Sequence, residues 1–386
     1  MKKTTKLYDL EPYGTQFDAE VLSCEPHNDS DSYDIILDQT LFFPEEGGQN
    51  CDGGTLDGQP VLDVQIKDGV IRHTVSASFL PGTRISGQIN WNMRYSNMQQ
   101  HSGEHILSGL VHSHFGFDNV GFHLGRQNVT LDFNGFLSDE QLEQMETLAN
   151  EAIYQNLGIT ACYPPKEELD ALTYRSKIEI EGPVRIVTIP GYDICACCAP
   201  HVKQTGEIGI IKITDAVKYK GGIRLNILCG SRALTDYRQK QRQTAEISAL
   251  LSARQDAVTD AVHRLKNDNF NLNGQLLSLQ EQILEQKAAL IPADTENLCL
   301  FEEQMESISH KKYANLLLKK CTGICAVFVG TEETGYRYII ASVSQDVRPV
   351  QEILKQKLQA KGGGSREMVQ GSLTGSRERI TSLLNI

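Results

Sequence analysis

Two pairs of metal-binding residue types stand out in the chain, and both are spaced i, i+4. His101 and His105 lie in NMQQHSGEHILSG (Asn97–Gly109), and Cys197 and His201 lie in CACCAPHV. On a helix, residues i and i+4 share one face, so two imidazoles there can grip one ion. A thiolate and a third imidazole complete a tetrahedral donor set of the kind zinc occupies. One such pair by itself equally suits a surface or a hydrogen-bonded core histidine pair; two matched pairs in one chain point to a metal. The HExxH protease arrangement is excluded, because Glu104 directly precedes His105 instead of following His101.

These pairs need elements to hold them. Ile106, Leu107, Leu110 and Val111 give the first pair an amphipathic helix, whose first turn at Ser102 and Gly103 depends on packing more than on propensity. Pro200 argues for a turn under the second pair. Around them, residues 91–230 read as α+β. A strand is expected at Asn128–Phe133, then a helix at Ser138–Gln155 with Asp139 and Glu140 in its first turn, where negative charge suits the helix dipole. Strands at Val184–Ile189 and Gly209–Val217 flank the Cys-His pair.

Residues 1–90 read as a small β-barrel. Phe17–Cys24, Ser32–Leu37, Gln59–Ile66, Val70–Thr74 and Arg84–Ile89 are short alternating or β-branched runs between Gly, Asp, Asn and Pro punctuation. Within them, TLFFPEEGGQNCDGGTL (Thr40–Leu56) runs an apolar stretch into glycines that permit close backbone approach to a ligand, with the Gln49 amide as donor and acceptor. A plain hairpin turn would use the same residues.

Residues 231–291 carry a heptad pattern. Leu251, Val258, Leu265, Leu272 and Leu279 recur every seven residues, and Val262, Leu276, Ile283 and Leu290 fill the complementary register. No proline intervenes before Pro292. This predicts one long helix that pairs with a second copy, as a homodimer, or folds against its own chain. Residues 292–386 alternate strands and helices and contain Lys361-Gly362-Gly363-Gly364-Ser365-Arg366, a glycine-rich loop flanked by cations that suits a phosphate backbone.

Composition sets outer bounds. The 386 residues are 40% hydrophobic and 22% charged, which is ordinary for a water-soluble chain of two or three domains. No apolar run spans a bilayer, and the first residues lack the apolar core of a signal peptide. Ten cysteines without such a signal fit a reducing cytoplasm. The net charge of −12 disfavours a general nucleic-acid binder. The charge is uneven, however: residues 311–386 hold 12 Lys/Arg against 6 Asp/Glu, a net of +6, leaving −18 for the other 310 residues. A basic C-terminal module suits local phosphate contact, though a solvated basic face without function carries the same charge.

Three motifs, FFPEEGGQNCDGG, RYSNMQQHSGEHILSG and CACCAPHVKQTGEIG, together with GGGSREMVQG, resemble the alanyl-tRNA editing proteins of the AlaX family in their long form. That family is related to the editing and C-terminal parts of alanyl-tRNA synthetase, and the resemblance covers nearly the whole chain. It implies an α+β protein: a β-barrel domain (1–90), a zinc-dependent editing domain (91–230), a helical coiled-coil segment (231–291) and a DHH-associated-like domain for tRNA binding and dimer formation (292–386). Carried over by position, it implies Zn2+ held by His101, His105, Cys197 and His201. Gln49, Thr130 and Asp132 become the candidate pocket and catalytic residues, and Lys361, Gly362, Gly363, Gly364 and Arg366 the candidate tRNA contacts. The implied reaction is hydrolysis of serine, or glycine, from mischarged tRNA(Ala). Where the family has Cys-Gly-Gly-Thr-His, this chain has Cys197-Cys198-Ala199-Pro200-His201. Cys195 and Cys198 are therefore competing thiols, and the i+4 spacing to His201 favours Cys197. If four protein ligands fill the tetrahedron, the ion must expand its shell, exchange a ligand, or serve to position groups. A zinc esterase or amidohydrolase for small molecules and a non-catalytic tRNA-binding protein with structural zinc are the other readings of the same residues.

Overall fold

The computed structural model describes residues 3–27, 31–126, 128–176 and 182–384. It is a mixed α+β chain that divides into two compact units, Met1–Thr244 and Ala245–Ile386.

In the first unit, six antiparallel strands close into a barrel in the order Gln16–Pro26, Tyr33–Leu37, Val70–Val75, Gln59–Lys67, Gly54–Leu56, Arg84–Ile89. Alternation along these strands turns Phe17, Ala19, Val21, Ile85 and Ile89 inward. The short strand Gly54–Leu56 was not legible, because its three residues look like the tail of a turn. The barrel interior holds one histidine, His73, fully buried. Its Nδ1 lies 3.1 Å from the Ile35 carbonyl and its Nε2 2.9 Å from Thr40 Oγ1. That pairing suits a neutral ring, and burial pulls its pKa down to about 4.

The second layer is an antiparallel sheet ordered Ile211–Tyr219, Gly222–Cys229, Val129–Phe133, Asn119–Leu124. Two helices bury their apolar stripes on it. Trp91–Phe115 starts at an Asn90 cap, whose side chain accepts from the Met93 N–H. Asp139–Gln155 starts at a full capping box between Ser138 and Gln141. Met98, Ile106, Leu107, Leu131, Met145 and Leu225 meet in the resulting core. A three-stranded sheet, Thr160–Cys162, Ile186–Ile189, Asp193–Ala196, leads into the Cys-His segment.

The heptad region departs from the expected single helix. It is two helices, Gly230–Leu250 and Val258–Ala289, separated by a break. The first helix ends in a left-handed cap: Ser252 has φ +48, Ala253 N–H reaches the Ser248 carbonyl at 3.0 Å, and Ser252 N–H reaches that of Ala249 at 3.2 Å. Neither glycine nor proline marks this stop, so the heptad count ran through it. In the second helix Ala261 is buried in the first turn, and Leu284 and Ala288 join Tyr313 and Leu317 at the other end. Leu265, Leu272 and Leu279 remain 58%, 62% and 56% exposed.

The second unit is completed by a five-stranded sheet, ordered Leu298–Glu302, Ile324–Thr331, Gly335–Ser342, Met368–Leu373, Lys361–Gly364, with apolar cores on both faces. Lys361–Gly364 is therefore not a loop but an edge strand. Glycine is required there by close approach, since a Cβ on Gly362 would run into the Gln370 carbonyl.

Candidate metal centre

The structure brings His101, His105, Cys197 and His201 together; one donor atom from each lies within 4.8 Å of every other. The two pairs come from different supports. The histidines occupy one face of the helix Trp91–Phe115, and Cys197–His201 is a turn following the strand Asp193–Ala196. Gly109 makes their meeting possible: a Cβ there would strike the Tyr192 carbonyl, so only glycine lets this helix close on the Ile189–Asp193 turn. Arg185 shapes the Cys-His turn by donating to the carbonyls of Cys197 (3.1 Å) and Ala199 (2.9 Å).

The donor set fits zinc. Cys197 Sγ lies 3.5 Å from His101 Nε2 and 3.4 Å from His201 Nε2. A tetrahedral ion with bonds of about 2.05 Å to nitrogen and about 2.3 Å to sulfur sets N···S edges of about 3.5 Å. Each imidazole turns its Nε2 or ring edge inward and is anchored at Nδ1 from outside. His101 meets Gln49 Oε1 at 2.8 Å, His105 meets Asp193 Oδ2 at 2.7 Å, and His201 meets Ser102 Oγ at 3.0 Å. Such outer partners fix ring orientation and tautomer in metal sites. Asp193 is itself clamped by Arg175, Nε to Oδ1 at 2.7 Å and a second nitrogen to Oδ2 at 2.9 Å.

Electrostatics selects one thiol of the three. Burial disfavours a thiolate at Cys197, but the facing His101 and His201 rings outweigh it and hold its pKa well below the usual value. Burial pushes Cys195 up to about 11, and it pushes Cys198 up further with help from the Cys197 charge. Burial also lowers His201 to about 3. At His105, burial opposes the charged ring; the hydrogen bond to Asp193 and the charge of Cys197 prevail and raise its pKa well above the usual value. Of the three thiols, Cys197 is the one whose thiolate form is favoured, while burial favours the protonated form of Cys195 and Cys198.

Other expected residues are placed differently. Gln49 is buried at the cluster through His101. It sits in a tight loop whose Gly48 has φ +82; the Gly48 carbonyl accepts from Leu124 N–H at 2.7 Å. Thr130 and Asp132 do not join the cluster. Leu131, between them, points into the core that the histidine helix covers, so they face the other side of the sheet. There Asp132 is held by Arg224 through bonds of 2.6 and 2.7 Å. Lys361, Gly362, Gly363, Gly364 and Arg366 lie in the second unit, all exposed.

Sequence reasoning missed Asp193, Ser102, Arg175 and Arg185, because outer-layer partners keep no fixed spacing from the residues they serve. It also missed the pair that ties barrel to helix. Arg94 and Asp52 are both almost fully buried. Arg94 Nε donates to both Asp52 oxygens at 3.0 Å, and its other nitrogens reach the carbonyls of Pro12 (3.0 Å) and Leu41 (2.5 Å). Asp52 also accepts from Phe43 N–H at 2.7 Å. This network fixes the Leu41–Asp52 segment, and with it Gln49.

Residues 184–226, which contain the Cys-His turn, match the model of the threonyl and alanyl tRNA synthetase second additional domain. Residues 13–93 match that of class II (A) tRNA synthetases. The alanyl-tRNA editing protein Aarsd1 of Danio rerio is 27% identical, covering 96% of this chain and 95% of its own length. Alanyl-tRNA editing protein AlaX-L of Pyrococcus horikoshii is 26% identical, covering 97% and 96%. The alanine–tRNA ligase of Pyrobaculum neutrophilum is 27% identical over 98% of this chain, which spans only 44% of that ligase. Both free-standing editing proteins thus match end to end, and over nearly its whole length the chain is similar to proteins named alanyl-tRNA editing proteins.

Proposed function

We propose that this chain is a trans-editing hydrolase that cleaves serine from mischarged tRNA(Ala), with Zn2+ as its resident metal. The observation that carries the proposal is the convergence of His101, His105, Cys197 and His201, each imidazole anchored from outside, in a chain whose end-to-end relatives are named alanyl-tRNA editing proteins. Zinc in this donor set supplies a Lewis acid and a fixed frame for four side chains. The protein's own residues do the rest. Gln49 fixes the His101 ring, Asp193 and Arg175 fix His105, and Ser102 fixes His201, so the cluster meets the ester already organised. The thiols of Cys195 and Cys198 stay outside the donor set.

In the same proposal, the basic C-terminal residues, Lys361 and Arg366 among them, supply tRNA affinity by neutralising phosphates. The exposed leucine seam of Val258–Ala289 pairs with a second copy to form a homodimer, since one helix face this apolar is a coiled-coil surface. No helix among the described residues is long and apolar enough to cross a membrane.

The deciding experiment follows release of amino acid from Ser-tRNA(Ala), Gly-tRNA(Ala), Ala-tRNA(Ala) and free amino-acid esters. Rapid deacylation of Ser-tRNA(Ala) with Ala-tRNA(Ala) spared is the expected result. Equal hydrolysis of free esters with no gain from tRNA would instead favour a small-molecule esterase.

A further inference from the structure

Buried polar atoms in folded proteins are nearly always hydrogen-bonded, so each exception calls for a reason. Three of the exceptions among the described residues fall beside the Cys-His cluster: Tyr8 Oη, Glu46 Oε2 and Gln49 Nε2. Tyr8 and Gln49 are fully buried. Glu46 and Gln49 face each other across the tight turn, joined by backbone hydrogen bonds of 3.2 and 3.1 Å. Glu46 lies close enough to the Cys198 thiol to raise its pKa, and Cys198 is next to Cys197 of the cluster. Tyr8 lies edge-on to Phe43 at 5.4 Å, on the same segment as the turn, and its hydroxyl feels the charges of Asp9 and Glu46. Burial and those charges push the phenol pKa up, so Tyr8 keeps its proton and serves as donor or acceptor.

The three free valences differ in kind. Gln49 Nε2 only donates, Glu46 only accepts, and Tyr8 does either. A complementary occupant is small, carries a cationic donor for the carboxylate, and offers a hydroxyl that both gives and takes hydrogen bonds. The end of a seryl ester, with its ammonium and β-hydroxyl, has that chemistry; an alanyl ester lacks the hydroxyl. We propose that Tyr8, Glu46 and Gln49 form the recess that selects the amino acid, Glu46 taking the ammonium and Tyr8 and Gln49 the side-chain hydroxyl. This rests on the deacylase reading above. It also gives a reason for sparing alanine: a site built around a hydroxyl leaves its own polar groups unpaired when the hydroxyl is missing.

The test uses the full-length protein, with Tyr8→Phe and Glu46→Gln, and two probes: non-hydrolysable 3′-seryl-amide and 3′-alanyl-amide analogues of adenosine. Binding is read by calorimetry, stability by thermal melting, and deacylation on Ser-tRNA(Ala) and Ala-tRNA(Ala). Tyr8→Phe deletes an unpaired buried hydroxyl, so its melting temperature is expected to hold or rise. Its seryl-over-alanyl binding preference is expected to fall roughly 10-fold, the worth of one hydrogen bond at the upper end of the neutral range. Glu46→Gln is expected to weaken both analogues roughly 10-fold or more, because it removes a charged partner. Affinities and preference within two-fold of the parent in both variants would show that the recess holds only water, and overturn the inference. A parent that deacylates neither tRNA would overturn the deacylase reading, while the analogue binding would still decide the recess.

Discussion

Replacing Asp52 by Asn probes the joint between barrel and histidine helix. Arg94 is 0% exposed, and its charged partner among the described residues is Asp52, which receives both Nε and a terminal nitrogen. Breaking a buried ion pair from one side costs about 3–5 kcal/mol, since the remaining charge has neither water nor counter-ion. Asn keeps one oxygen, which serves either Phe43 N–H or the guanidinium, and the Pro12 and Leu41 carbonyls still accept. The expected loss therefore lies at the lower end, about 3 kcal/mol. For a unit of this length each kcal/mol moves the melting midpoint by about 2–4 °C, so a drop of about 6–12 °C is expected. The assay is built in. Trp91 is the chain's one tryptophan and opens the histidine helix three residues before Arg94, packed 5.4 Å from Tyr13 and 5.3 Å from Tyr95. Its fluorescence reports melting of this joint. The double variant Asp52→Leu/Arg94→Met removes the charge from both sides and should recover much of the loss. An Asp52→Asn protein that melts within about 1 °C of the parent would refute the claim that this pair anchors the Gln49 segment, given about 2–4 °C per kcal/mol.

Three further outcomes are expected. Asp193→Asn weakens zinc binding about 10–100-fold in competition with a chromophoric chelator, as loss of an outer-layer partner does, and His105→Ala abolishes it; unchanged zinc affinity in both rejects the metal assignment. His73 has a folded pKa of about 4 against 6.5 when unfolded, so the unfolded chain binds more protons between those values. Stability contributed by the neutral ring is present above pH 6.5 and is lost as pH falls to 4, by about 3 kcal/mol at 1.36 kcal/mol per unit; a His73→Gln variant should show a flatter urea-midpoint profile over that window, and an identical profile defeats the argument. Leu265→Asp with Leu272→Asp places charge in the exposed heptad seam, so light scattering should show a dimer for the parent and a monomer for the variant.

How much was legible depended on whether the information was local. The histidine helix could be read from Ile106, Leu107, Leu110 and Val111, and the helix Asp139–Gln155 from Ser138 and the acidic turn after it, because period and cap are written in neighbouring residues. The four inward donors were legible because i, i+4 spacing is a short-range constraint. Asp193, Ser102 and Arg175 were not, since each is defined by the partner it meets across the fold. Where Thr130 and Asp132 lie relative to the cluster was not legible for a related reason. Strand alternation puts neighbours on opposite faces, and nothing in NVTLDF says which face meets the helix. At Ser252, a left-handed cap formed on a residue that advertises no stop, while the apolar spacing on either side stayed in register.

The polar groups that lock the histidine helix to its neighbours are paired, while Ser23 Oγ, Gln280 Oε1, Tyr338 Oη and Gln351 Nε2 are unpaired elsewhere in the fold. Gln100 pairs like a peptide with both backbone atoms of Cys229, at 2.8 and 2.7 Å. Glu207 accepts from Tyr13 at 2.6 Å, Tyr95 at 3.2 Å and the Gln204 N–H at 3.1 Å. Asn150 donates to the Ile211 carbonyl and accepts from its N–H, at 2.8 and 3.0 Å. These residues lock the histidine helix and its neighbours to the sheet and leave nothing to offer a ligand. Gln49 differs within a single amide. Its oxygen belongs to the scaffold, orienting His101, and its nitrogen is left over. An unpaired buried amide costs stability that evolution could recover with one nearby acceptor. Glu46, across the same turn, keeps an oxygen equally unpaired, and the two groups are not hydrogen-bonded to each other. In the proposed recess, this unpaired donor and this unpaired acceptor are the complementary halves that a ligand beside the Cys-His cluster would join.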